Sequence, residues 1–300
     1  MSEFIVSGVV SPMRLDRYLR IIDSTMTQGF IEKALRAGDI RIGSSKAKAN
    51  DRVNDGDVIL IKDRIHVAAA SVEVKEFSAA SIALASKLLK PYLLYDDKDF
   101  MAINKPAGLP TQGGSNISLS IDHALQYLNA NGHDLRLVHR LDKETTGVLL
   151  IAKNRHAATL LGEGFKNHVM AKKYIAVLYG SIDSPSGVVE SYLAKRHNMV
   201  YEVDASAEDG KLAITEYSVL KANDKVTLVE FTPKTGRMHQ ISCHAAYSLK
   251  APILGDEKYG GKYAESLYLH AAEITIPKEI LGREHVISAD LPAKYEKSVR

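Results

Sequence analysis

The sequence predicts an α+β protein of two units, on three observations. Roughly the first sixty residues combine short helical patterns with short strands and a tight turn. A stretch rich in Ala, Ser and Lys follows, with no strong turn or strand signal, and reads as a linker partly helical near its end. Beyond it, apolar runs of strand length mix with helical patterns and show no regular βαβ alternation. The expected boundaries are a small domain over 1–68, a linker over 69–88 and a larger domain over 89–300.

In the first unit, Leu15, Leu19 and Ile22 recur at helical spacing and predict a helix starting near Met13. Thr27 is placed to cap a second helix carrying Phe30, Ile31, Ala34 and Leu35, and Gly38 stands where the closing left-handed residue belongs. Ile40 and Ile42 flank Arg41 as a short strand. The turn sequence Asn54, Asp55, Gly56, Asp57 then precedes the apolar strand Val58–Ile61. Arg14, Arg17, Arg20, Lys33 and Arg36 make both helices basic.

In the larger unit, apolar runs predict strands over 100–103, 135–138, 148–152, 174–179 and 226–231. Helical patterns fall over 121–128, 155–165 and 238–248.

Composition excludes several classes. Hydrophobic residues are 45% and charged residues 25% of 300, the balance of a folded globular chain rather than a disordered one. A single cysteine leaves no disulfide framework and fits a reducing cytoplasm. No apolar run approaches the roughly 18 residues of a membrane span, and the amino terminus, with Glu3 and no basic segment, does not read as a secretory signal. Net charge is only +3, but residues 131–180 hold eight Lys/Arg against four acids. That local excess suits either phosphate tracking or a solvated face.

The chemistry concentrates in LVHRLDKETTG (137–147), a polar loop running into the strand VLLIA (148–152). It carries Asp142 among His139, Arg140 and Lys143. Neighbouring cations favour an ionised carboxylate, which in a partly dry site acts as nucleophile or base. Read on its own, an Asp in such a loop serves equally to cap a turn or pair on the surface. The sequence shows no dinucleotide loop and no P-loop. His239 and His244 flank Cys243 at a five-residue spacing, on different helix faces, so no metal is expected there.

HRLDKETTG followed by VLLIAKN resembles the central motif of the RluA-type pseudouridine synthases. INKPAGLP (103–110) resembles that family's first motif, KKYIAVLYG (172–180) its tyrosine motif, KTGRMHQI (234–241) its arginine motif and LYLHA (267–271) its last. All five occur in the family's order. The first unit resembles the S4-type RNA-binding domain that precedes the catalytic domain in several of these enzymes. TQGGS (111–115) and PILGDEKYG (252–260) are most similar to the branch acting on large-subunit ribosomal RNA.

The resemblance implies a mixed, mainly antiparallel central sheet with flanking helices, and an isomerisation that detaches uracil and rejoins it through carbon. No cofactor and no metal is implied. Asp142 matches the catalytic aspartate, with attack at C1′, at C6 or through a glycal all compatible. Arg237 is expected to pair with it through a bidentate fork. Tyr174 is expected to stack on uracil, its hydroxyl a candidate for removing the C5 proton. Arg140 is placed to fill the space a flipped uridine vacates. Ile241 and Leu269 are expected to wall the base, and Asn104, Lys105, Pro106 and Gly108 to support the loop. Arg14, Arg17 and Lys33 are expected RNA contacts of the first unit. Tyr179 and Tyr201 match no such position.

Two departures stand out. The arginine motif usually continues Thr-His-Gln-Ile-Arg, whereas this chain has Met238 and Ser242; the second helix often opens Ser-Arg, whereas this chain has Thr27 and Gln28. The implied partner is 23S ribosomal RNA or a large-subunit precursor, bound by a monomer. A non-catalytic RNA-binding assembly factor and a transfer RNA pseudouridine synthase are the alternatives.

Overall fold

A computed structural model describes residues 1–7, 12–23, 25–62, 65, 77–114, 117–197 and 199–300. The chain divides into Met1–Glu76 and Phe77–Arg300. Residues 69–76 of the expected linker lie outside the described residues. Residues 79–88 are not linker: they lie in a helix of the second unit, which therefore starts earlier than residue 89.

The first unit runs β1 (Ser2–Ile5), β2 (Met13–Arg14), α1 (Leu15–Ile22), α2 (Gln28–Arg36), β3 (Ile40–Ile42), β4 (Ser45–Lys46), β5 (Arg52–Val53) and β6 (Val58–Ile61). An antiparallel sheet in the order β1-β6-β3-β4 and a small β2–β5 ladder enclose Leu15, Leu19, Ile31, Ile40, Val53, Ile59 and Ile61. The first helix begins at Leu15 rather than Met13 because Met13 and Arg14 pair with Val53 and Arg52. Its opening amides are satisfied by backbone, Leu15 N–H donating to Asp51 O at 2.7 Å and Asp16 N–H to Ala49 O at 3.0 Å. Helix α2 starts as expected, Thr27 Oγ1 accepting from Phe30 N–H. It ends on Gly38 at φ +70°, where Gly38 N–H reaches Leu35 O and Asp39 N–H reaches Ala34 O.

The second unit runs α3 (Ala79–Leu89), β7 (Leu93–Asp96), β8 (Phe100–Lys105), α4 (Ile121–Ala130), β9 (Arg136–Leu137), β10 (Thr146–Ala152) and α5 (Arg155–Lys166). It continues through β11 (Ala171–Tyr179), β12 (Ser186–Arg196), β13 (Met199–Val203), β14 (Lys211–Ala222) and β15 (Val226–Pro233) to α6 (Gln240–Cys243), which passes into a π-helical turn (His244–Ser248). It closes with β16 (Leu269–Ile276), α7 (Lys278–Leu281), β17 (His285–Ser288) and α8 (Ala293–Ser298).

Its strands form one sheet in the order β13-β12-β14-β15-β11-β16-β10-β8-β7, with β17 on β16 and β9 on β10. The pairing is antiparallel except between β10 and β16. The predicted mixed, mainly antiparallel sheet with flanking helices is therefore present. Period-two alternation splits β10 between two cores: Leu149 and Ile151 join Leu84, Leu88 and Leu125 of α3 and α4, while Val148 and Leu150 join Leu161 of α5. A strand buried on both faces reads as a continuous apolar run, which is why 148–152 is legible in the sequence.

Candidate functional site

Asp142 lies in the connection between β9 and β10, which pair as a hairpin through Leu137–Ile151 and Arg136–Ala152. The connection is held from below by the 103–110 motif. Lys105 is fully buried, and its ammonium donates to Pro106 O, Leu109 O and Lys143 O at 3.0, 2.9 and 2.9 Å. Burial draws this ammonium down to about 8, while Glu144 and Asp142 oppose the fall. Thr111 clamps the same loop, donating to Leu141 O at 2.7 Å and accepting from Leu141 N–H at 3.2 Å.

Gly147 ends the loop at φ +107°. A Cβ there would stand 2.2 Å from Ala271 O, because β10 and β16 run side by side at Thr146–His270 and Gly147–Ala271. Only glycine permits that approach.

His139 faces inward rather than toward Asp142. Its Nε2 accepts from Leu150 N–H at 2.8 Å and its ring stacks on Phe165 at 4.2 Å. Burial, aided by Lys172, pulls its pKa to about 3, so it is a neutral structural acceptor. Arg140 is exposed at the loop surface.

Tyr174 sits on β11 at a register shift, pairing with Ala271 and Phe231 just after the break at Lys173/Tyr174. Such a bulge re-aims the side chain. The ring packs against a cluster containing Ile241 and Leu269, and also against the cluster containing Leu141. Burial first, and Asp142 second, push the phenol well above its ordinary value. The structure thus brings Asp142, Tyr174, Ile241 and Leu269 together.

It does not bring Arg237 to Asp142. The Arg237 Nε donates to Leu212 O at 2.9 Å, and its side chain lines a groove of about 480 Å³ with Leu193, Lys195, Val200, Asp209, Lys211 and Met238. The cause is a turn knotted by Gln240. Its Oε1 accepts from Thr235 Oγ1–H and Arg237 N–H, while its amide donates to Ile214 O and Thr215 Oγ1. The helix expected over 238–248 consequently starts at Gln240, after His239 in a left-handed conformation at φ +52°.

His239 takes the place expected of Arg237. Its Nε2 is 4.0 Å from Asp142 Oδ2, and its Nδ1 is 2.7 Å from the Tyr259 hydroxyl. Neither His239, considered from its spacing only as a metal ligand, nor Tyr259 stands out in the sequence as a site residue. The signal lay in their motifs, both within matched stretches. The Cys243 thiol donates to Val200 O and also meets the Tyr259 hydroxyl, while the His244 imidazole lies between Thr215 and Ser191. Among the described residues no group of three His, Cys, Asp or Glu is placed to hold a metal ion.

In the first unit Arg14, Arg17 and Arg20 line a concavity of about 610 Å³ with Asp16, Ile21 and Gln28. Arg14 is forked onto Asp16 at 2.8 and 3.1 Å, which lowers that carboxyl. Gln28 accepts from Arg20 at 2.8 Å. Lys33 is exposed on α2 but does not line this concavity.

The profile of the RNA pseudouridylate synthase family matches residues 99–247. The chain is 47% identical over 292 residues to the ribosomal large subunit pseudouridine synthase C of Rickettsia typhi, covering 95% of this chain and 96% of that protein. It is 32% identical over 298 residues to the protein of the same name from Vibrio cholerae, covering 95% and 92%. Among solved structures, human RNA pseudouridylate synthase domain containing 4 superposes with a TM-score of 0.62 at 30% identity, covering 73% of this chain and 95% of that one.

Proposed function

This chain belongs to the RNA pseudouridylate synthase family and is an isomerase converting uridine in RNA to pseudouridine; we propose that its substrate is large-subunit ribosomal RNA and that Asp142 is the reacting carboxylate. The observation that carries the substrate is the match along nearly the whole length to proteins named for the ribosomal large subunit. The observation that carries the residue is the convergence of Asp142 with the Tyr174–Ile241–Leu269 wall.

The reaction breaks the N1–C1′ bond, forms a C5–C1′ bond, releases the C5 proton and takes up a proton at N1, with no net change in composition or oxidation state. Asp142 is half-exposed at the end of a loop pinned by Lys105 and Thr111, so it meets an incoming base without moving its own backbone. Tyr174 offers a ring for stacking an unstacked base. Burial and Asp142 raise its pKa, so the ring meets the base with its hydroxyl protonated. Ile241 and Leu269 complete that wall. Arg140, exposed two residues before Asp142, is assigned to the space the flipped uridine leaves.

Arg237 is assigned to the RNA strand rather than to the carboxylate, because its groove also holds Lys195 and Lys211. The first unit is read as an S4-type RNA-binding module, supported by the Arg14–Arg17–Arg20 concavity. The test is tritium release from large-subunit ribosomal RNA carrying 5-tritiated uridine. Wild type is expected to release it and Asp142→Asn to release none. Release from transfer RNA transcripts alone would reassign the substrate.

A further inference from the structure

Among the described residues no arginine forms an ion pair with Asp142. Arg237 is turned to Leu212 O, and position 242, where the resembled motif usually has arginine, is the buried Ser242. The group facing the carboxylate is His239, whose place the backbone fixes and whose other ring nitrogen meets the Tyr259 hydroxyl.

Its place follows from the backbone. His239 is left-handed at φ +52°, a conformation that side chains with a Cβ rarely adopt. It is held there by the Gln240 knot before α6 and by Cys243 N–H donating to His239 O at 2.9 Å. Such a residue persists only where its surroundings over-determine it, commonly at functional sites.

Its proton follows from Tyr259. The buried Tyr259 hydroxyl accepts from Val200 N–H at 3.1 Å and lies 2.7 Å from His239 Nδ1, the two rings meeting edge to face. A hydroxyl that already accepts a backbone N–H has its own proton to give. Burial holds the phenol above its ordinary pKa, so it keeps that proton. The hydroxyl also meets Cys243, whose thiol gives its own proton to Val200 O at 3.4 Å; with the phenol proton directed to His239 Nδ1 at 2.7 Å, Nε2 carries the N–H. Nε2 is the atom 4.0 Å from Asp142 Oδ2.

We propose that His239, as the Nε2–H tautomer set by Tyr259, is the positioning residue of the Asp142 carboxylate. This inference rests on Asp142 being the reacting carboxylate. A closure of about 1 Å brings Nε2–H into hydrogen-bond range, an approach of the kind catalytic contacts make when substrate binds. A neutral donor orients the carboxylate without neutralising it, which an arginine would do. The charged groups around the imidazole divide. Asp142 and Asp256 favour its protonation, whereas burial, Lys258 and Arg140 oppose it, and the net direction is down.

The test measures single-turnover rates of the full-length protein on ribosomal RNA between about pH 5.5 and 8.5, spanning the ordinary histidine range. In Tyr259→Phe the ring is free to carry its proton on Nδ1 and present a lone pair to Asp142. That variant is expected to be about tenfold slower at neutral pH, the loss of one hydrogen bond at the reacting group, with KM unchanged. As pH falls and the imidazole protonates at both nitrogens, Nε2–H returns and the deficit closes toward wild type. His239→Leu is expected to be slow throughout, and His239→Gln, which keeps an amide donor, to recover part of the rate. A Tyr259→Phe deficit that is constant with pH, or equal rates for the Gln and Leu variants, overturns the inference. Asp142→Asn is run alongside: if it retains activity, the assignment of Asp142 itself has failed, whereas an inactive Asp142→Asn with a flat Tyr259→Phe deficit rejects the role of His239 alone.

Discussion

The ammonium of Lys105 donates to the carbonyl of Lys143 at 2.9 Å across 38 residues of sequence, tying the first motif directly to the loop that carries Asp142. The same ammonium gathers Pro106 O and Leu109 O, so the turn after β8 wraps around it. Lys105→Met removes the donor and strands buried carbonyls, each costing about 1–3 kcal/mol. The expected outcome is several kcal/mol lost in urea unfolding and a fall in kcat larger than any rise in KM, because the loop rather than the RNA contact is loosened.

Gly147→Ala is expected to be more severe than its single methyl implies. The added Cβ meets Ala271 O at 2.2 Å and the backbone must hold φ +107°. Overpacking plus the left-handed backbone costs about 3 kcal/mol or more. Thermal melts of the purified variant check this, with a large drop in Tm or insoluble protein as the expected result.

Acid destabilisation is expected, and its sign follows from His139. The folded imidazole resists protonation down to about 3, whereas in the unfolded chain it protonates near its ordinary 6.5. Between those values the unfolded state binds more protons, so stability falls as pH drops from 6.5 toward 3, by up to about 1.4 kcal/mol per pH unit for this one group. His244, drawn down to about 4 by burial, acts in the same direction. His139→Gln keeps an acceptor for Leu150 N–H without the titration. Urea unfolding at pH 5 and pH 7 is expected to show a shallower pH slope for this variant, by about one proton.

How much was legible depended on where a residue gets its neighbours. The apolar run of β10, the Thr27 cap and the Gly38 stop were readable because each is set by local chemistry or by burial on both faces. Strands β12 and β14 escaped because long edge-side strands mix polar and apolar positions and pair across distant sequence. The expected linker reads as partly helical near its end, but its full helix, Ala79–Leu89, is not legible because that Ala- and Ser-rich sequence has a buried face only in the presence of α4. At the site, Asp142 and Tyr174 lie beside the cluster that contains Ile241 and Leu269. The Arg237–Asp142 pair was misjudged because its geometry is set by Gln240 contacts to β14, about 25 residues away in sequence, which no motif spacing encodes.

Salt dependence separates the strand-binding cations from bystanders. Lys195→Ala with Lys211→Ala is expected to flatten the slope of log affinity against log salt by about 0.7–0.9 per lost phosphate contact, with kcat at saturating RNA unchanged. Arg17→Ala, in the first unit's concavity, is expected to flatten it likewise, whereas Lys33→Ala, outside that concavity, leaves it unaltered. Filter binding across a salt series reads both.

The most direct test of the central claim is pseudouridine mapping of large-subunit ribosomal RNA from cells lacking the protein, complemented with wild type or Asp142→Asn. Specific sites are expected to vanish in its absence and to return with wild type alone. Their return with Asp142→Asn, or an unchanged ribosomal RNA map in the absence of the protein, would contradict that claim.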